Sequence, residues 1–166
     1  MSNRREFIKK ISHLAIGLSL LAGSVNLIAQ PERLEVTLNG SRIKTIDIHA
    51  HLVVPEVADL LTNTVFSEIS LAPWQALSSD RIDLMDERGI DVQALSINRY
   101  WWYAAERDLA SRIVKLHDEH LANWVNQHPN RFVALSSVAL QYPDLAAQQL
   151  EYAMNELGHK GASISE

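Results

Sequence analysis

The 166-residue chain contains no cysteine. That excludes a disulfide framework, a zinc–thiolate centre and a cysteine nucleophile, so any metal must sit on histidine and carboxylate. The formal net charge is −5, and setting residues 1–29 aside leaves 11 basic and 19 acidic residues, or −8. An acidic body argues against nucleic-acid binding, and the length suits one domain with a real core.

Residues 1–29 read as a targeting segment. Asn3-Arg4-Arg5-Glu6-Phe7-Ile8-Lys9 resembles the twin-arginine export motif, and an apolar run follows from Ile11 to Gly23. The run is broken by Ser12, His13 and Ser19, and is too short for a span of about 20 apolar residues. The expectation is an export signal helix that engages the twin-arginine machinery, giving a periplasmic protein. The alternative is a retained N-terminal anchor or an amphipathic surface helix.

The body is expected to run from residue 30 to 166. Leu34, Val36 and Leu38 alternate, and Asn39-Gly40 is a strong turn signal, so 34–44 reads as a small hairpin. Thr45-Ile46-Asp47-Ile48-His49-Ala50-His51 then reads as a parallel strand. Regular alternation puts Asp47, His49 and His51 on one face and Ile46, Ile48 and Ala50 on the other. An acid and two imidazoles on a strand cost free energy unless something pairs with them. Two histidines at i and i+2 lie about 6–7 Å apart at Cα, so both rings can bend onto one ion. Asp47 could hold a ring N–H or a neighbouring loop behind them. The bland alternative is a pair of polar strand-end residues at the surface.

Pro55 can start a short helix through Leu61. Residues 62–79 hold no sustained period and read either as a lid or as a small satellite core of Phe66 and Trp74. Ser79 or Asp80 caps a helix through Arg88, with Gly89 at its C-terminus. Residues 91–98 form a second buried strand, followed by Arg99-Tyr100-Trp101-Trp102-Tyr103. Arg99, Trp101 and Trp102 at a strand's C-terminal rim suit a flat carboxylated ligand; a hydrophobic plug is the alternative. A long helix is predicted from about 105 to 127, with Leu109, Ile113, Leu116, His120 and Trp124 on its apolar stripe and Val114, Leu121 and Val125 widening it. Phe132–Val138 is a third strand, Pro143–Glu156 a helix, and Lys160–Ser165 the start of a fourth strand. Strands alternating with helices predict an α/β fold with a parallel sheet, and chemistry beyond the strands' C-terminal ends.

The remaining histidines read as structural. His117-Asp118-Glu119-His120 lacks the i, i+4 spacing of a metalloprotease helix and reads as a solvated helix face. His128 sits at a helix end, His159 reads as a surface loop residue, and nothing in the spacing decides a role for Glu56.

Four segments then carry a resemblance. Ile46-Asp47-Ile48-His49-Ala50-His51-Leu52 with Pro55-Glu56 resembles the opening of the amidohydrolase superfamily, in the amidohydrolase-related branch that includes aminocarboxymuconate-semialdehyde decarboxylase. Met85-Asp86-Glu87-Arg88-Gly89-Ile90-Asp91-Val92-Gln93, His128-Pro129-Asn130-Arg131-Phe132 and Glu156-Leu157-Gly158-His159-Lys160-Gly161 resemble further segments of that branch, in order. The resemblance implies the N-terminal portion of a (β/α)8 TIM barrel, about four parallel strands with intervening helices. It implies a single divalent metal, usually zinc, held in part by His49 and His51. It also implies hydrolysis or non-oxidative decarboxylation of a small carboxylated substrate, with homo-oligomers open to the full-length protein. The family's other ligands and its catalytic histidine fall on later strands, expected beyond residue 166, so the chain reads as an incomplete barrel domain. The alternatives are a TatD-like metal-dependent nuclease, which also opens with His-x-His, and a non-catalytic truncated product.

Overall fold

The computed structural model describes residues 34–97 and 102–164, all within the unit Arg33–Glu166. The export-signal reading of residues 1–29, and the rim residues Asn98, Arg99 and Trp101, lie outside the described residues.

The predicted hairpin forms as β1 (Thr37–Leu38) and β2 (Ser41–Arg42), paired antiparallel. Asn39 and Gly40 take φ of 52° and 77°, the two positive values that a two-residue primed turn demands. The Asp91 carboxylate anchors the hairpin to the sheet, accepting from the Arg42 guanidinium at 2.7 Å and from the Thr45 N–H at 2.7 Å.

The main sheet is three-stranded and parallel, in the order β3 (Ile46–Leu52), β4 (Val92–Ile97), β5 (Phe132–Ala134). A single parallel bridge, Ser136 to Ala162, stands where the fourth strand was expected, and the third strand stops at Ala134 rather than Val138. After β3 come a 3-10 turn (Pro55–Val57) and the short α1 (Ala58–Leu61). Next comes α2 (Ser79–Glu87), which Gly89 terminates at φ 69°. The long α3 (Arg107–Gln127) joins β4 to β5, and α4 (Pro143–Asn155) follows β5. Among the described residues no helix is long and apolar enough to cross a membrane.

One face of the sheet meets the helices. Ala50, Leu52, Leu95, Phe132 and Ala134 pack with Met85 of α2 and Leu121 of α3. A second cluster gathers Ile97, Trp102, Ile113, Val114 and Phe66. Each large aliphatic side chain so buried contributes about 1.5–3 kcal/mol. Phe66 therefore joins the core, whereas Trp74 stands 82% exposed, so the satellite core expected of the pair does not form.

The stripe of α3 is Ala110, Ile113, Val114, His117, Asp118, Leu121 and Ala122. It shares Ile113, Val114 and Leu121 with the expected stripe but takes in His117 and Asp118 in place of Leu116 and His120. His117 and Asp118, expected on a solvated face, are 2% and 1% exposed.

Candidate metal centre

The C-terminal half of β3 carries the two histidines. Their rings share one side of the strand, with centroids 4.4 Å apart and planes at 75°. His51 is half-buried and His49 exposed. Ser96 lies beside His51 in the β3–β4 register, and its Oγ is 3.1 Å from His51 Nδ1. With Nδ1 engaged by a hydroxyl, Nε2 is the nitrogen that can meet an ion, and the ring is held in one orientation.

Asp47 is not on that side. The register runs Asp47↔Gln93 and then Ala50↔Leu95, so three steps on β3 are matched by two on β4. This bulge places one extra residue within Ile48–His49 and reverses the alternation beyond it. Asp47 stays level with Gln93 on the helix-facing side, and His51 with Ser96 on the other. The expectation that Asp47, His49 and His51 share a face is thus corrected, because alternation holds only for a strand in unbroken register. The Asp47 carboxylate instead accepts from the His49 backbone N–H at 3.1 Å and from Gln93 Nε2 at 3.0 Å.

The aromatic rim is also corrected in part. Trp102, expected at a ligand, is 2% exposed. It packs edge-on to Phe66 at 5.4 Å and beside His117 at 5.4 Å, as part of the core. An aromatic with cations occurs elsewhere: exposed Trp74, Arg81 and Arg88 line a cleft of about 600 Å³ that reaches His51 and Gln93. Sequence reasoning passes over these three because Trp74 reads with Phe66 in a lid or satellite core, and Arg81 and Arg88 only as parts of a capped helix.

A second polar cluster is buried between α3 and the segment after β5. Asp118 Oδ2 accepts from Ser136 Oγ at 2.5 Å. His159 Nε2 lies 3.2 Å from the Asp118 backbone carbonyl, and Nδ1 is 3.9 Å from Asp118 Oδ1. A carbonyl only accepts, so Nε2 carries the hydrogen and Nδ1 presents its lone pair to the carboxyl. Burial pushes the Asp118 carboxyl up to about 7, against the lowering effect of the Ser136 hydroxyl and the Ser137 N–H. Burial, and then His120, push His117 down to about 3. Burial also lowers His159, which is enclosed rather than the surface residue expected. The apolar spacing at Ile113, Val114 and Leu121 was the signal that could have placed 117 and 118 inside.

Two imidazoles on one side of a strand end, one oriented through Nδ1, suit two positions of a divalent-metal site. Among the described residues no group of three or more histidine, aspartate or glutamate side chains is placed to hold an ion.

No family model matches the chain. It is 31% identical over 125 residues to the gamma-resorcylate decarboxylase of Rhodococcus jostii, covering 72% of this chain and 38% of that protein. It is 27% identical over 106 residues to the 2-amino-3-carboxymuconate-6-semialdehyde decarboxylase of Dictyostelium discoideum, covering 63% and 29%. In structure it is similar to the dihydroxybenzoic acid decarboxylase of Polaromonas, solved with manganese and the inhibitor 2-nitroresorcinol. That match has a TM-score of 0.61 and 26% identity, over 74% of this chain and 38% of that one. The chain thus spans between 29 and 38% of the length of these relatives.

Proposed function

We propose that the chain belongs to the amidohydrolase superfamily, in the branch that holds these decarboxylases, and is the metal-binding opening of a non-oxidative decarboxylase for a small aromatic carboxylate. The observation that carries this reading is the approach of His49 and His51, with ring centroids 4.4 Å apart at the C-terminal end of β3. That is where parallel α/β folds assemble their chemistry. On this reading the parallel sheet is part of a (β/α)8 barrel.

His49 and His51 would hold a divalent ion, His51 through Nε2 with Ser96 fixing Nδ1. A bound divalent ion supplies charge that polarises substrate oxygens. Zinc suits a histidine and carboxylate set, and manganese is the ion in the Polaromonas relative. Decarboxylation replaces the ring carbon's carboxylate by a proton and releases carbon dioxide. The similarity to decarboxylases favours this over hydrolysis. Asp47 acts behind the pair, on the strand backbone. Export through Arg4-Arg5 would carry the protein to the periplasm.

The test uses the complete gene product. Loaded with zinc or with manganese, it is expected to convert 2,6-dihydroxybenzoate with release of carbon dioxide. His49→Ala with His51→Ala should abolish both bound metal and turnover. Turnover that survives the loss of both histidines refutes the reading.

A further inference from the structure

The bulge in β3 decides where the two imidazoles point, and it is held by a hydrogen-bonded circuit on the other side of the sheet. The circuit begins at the extra residue, where the His49 N–H donates to Asp47 Oδ1 at 3.1 Å. Asp47 Oδ2 accepts from Gln93 Nε2 at 3.0 Å. Gln93 Oε1 accepts from an Arg81 guanidinium nitrogen at 3.1 Å. The second terminal nitrogen of Arg81 donates to the His51 backbone carbonyl at 2.9 Å. The chain of bonds leaves the backbone of one histidine and returns to the backbone of the other.

The donor and acceptor types leave little freedom. A carboxylate only accepts and a guanidinium only donates. The side chain between them must offer one donor and one acceptor in a fixed plane, as a primary amide does. Gln93 is buried, and its amide orientation is set by its two neighbours. A glutamate there would face Asp47 with a second carboxylate. A methionine would bridge nothing. Arg81 is the only member on a helix, so it also ties the position of α2 to the histidine strand.

We infer that Arg81, through Gln93 and Asp47, is the positioning residue that fixes the β3 bulge and thereby the mutual approach of His49 and His51. The role rests on the reading of that pair as metal ligands, but its first readout needs no metal. Asp47 and Gln93 lie level with each other on the helix-facing side, and Arg81 meets His51 at its backbone carbonyl, so the relay works through the backbone.

The experiment is proton NMR on the metal-free protein, comparing wild type with Gln93→Glu, Arg81→Met and the control Arg88→Met. The His49–His51 ring cross-peak reports the approach, and the Phe66–Trp102 contact at 5.4 Å reports the fold. The expected result is at least a fivefold loss of the histidine cross-peak in Gln93→Glu and Arg81→Met. The Phe66–Trp102 peak should be retained in both, and Arg88→Met should change neither. Zinc titration of the same samples should show at least tenfold weaker response of the histidine rings in the two relay variants. An unchanged histidine cross-peak in Gln93→Glu and Arg81→Met overturns the inference. Joint loss of both cross-peaks in every relay variant overturns it too, since the three residues would then hold the fold rather than the pair. A wild type with the cross-peak but no zinc response refutes the metal reading alone, and the cross-peak still decides the relay.

Discussion

Asp118→Asn is the substitution whose effect follows most directly from burial. The Asp118 carboxyl rises from its ordinary 3.8 to about 7 because it is enclosed between α3 and the segment after β5. The folded chain therefore keeps a proton there that the unfolded chain releases near pH 4. The stability this contributes is fully present below the unfolded pKa and is lost as pH rises through the folded one. The whole difference corresponds to about 4 kcal/mol, at about 1.36 kcal/mol per pH unit. Asparagine cannot ionise, so the variant escapes that loss. Glu119 contributes a small upward push on Asp118. His117 and His159, both lowered by burial, give up stability in the opposite direction as pH falls below about 6.5. They are present in both proteins, so the comparison largely cancels them. Urea denaturation at about pH 5 and about pH 8 should show the stability difference moving toward the variant by roughly 3 kcal/mol. The Ser136 hydrogen bond favours the ionised carboxylate, and its effect is already contained in the value of about 7. A difference that is the same at both pH values refutes the argument, because it means that Asp118 titrates alike in folded and unfolded chains.

Two further predictions rest on other elements. Gly89→Ala should cost about 2–4 kcal/mol, because φ is 69° and an added Cβ would meet the Leu34 carbonyl oxygen at 1.7 Å; a denaturation midpoint equivalent to a loss below about 1 kcal/mol would contradict that packing. Arg4→Lys with Arg5→Lys should leave the precursor in the cytoplasm, and fractionation that finds the double variant processed outside the inner membrane would end the twin-arginine reading.

What could be read in the sequence was whatever local chemistry decides. Asn39-Gly40 fixes a primed turn through its own backbone preferences, and Gly89 ends α2 for the same kind of reason. The alternation of strands with helices gave the parallel sheet. The histidine pair was legible because both residues sit two apart on one strand. Asp47 was misplaced because side-chain parity depends on pairing, and the shift against β4 appears only once Gln93 and Leu95 are alongside. The α3 stripe was right at Ile113, Val114 and Leu121 but missed His117 and Asp118, because Leu116 and His120 fit a helical period as well as they do. Only Ser136 and His159, brought in from later in the chain, give a buried aspartate its partners. Trp102 and Trp74 illustrate the same limit: two tryptophans of equal apolar content, one enclosed by Phe66 and His117, the other left in solvent. Composition does not separate them, and tertiary packing does.

The account turns on His49 and His51 holding a divalent ion. The most direct measurement is a zinc titration of the nitrogen-labelled protein, followed at the imidazole nitrogens by long-range proton–nitrogen correlation. The account predicts that both rings respond together, with His51 bound through Nε2 and its Nδ1 signal retained. The response should be lost in His49→Ala with His51→Ala and kept in His120→Ala. Zinc that shifts neither ring, or that binds the double variant as tightly as the wild type, would contradict it.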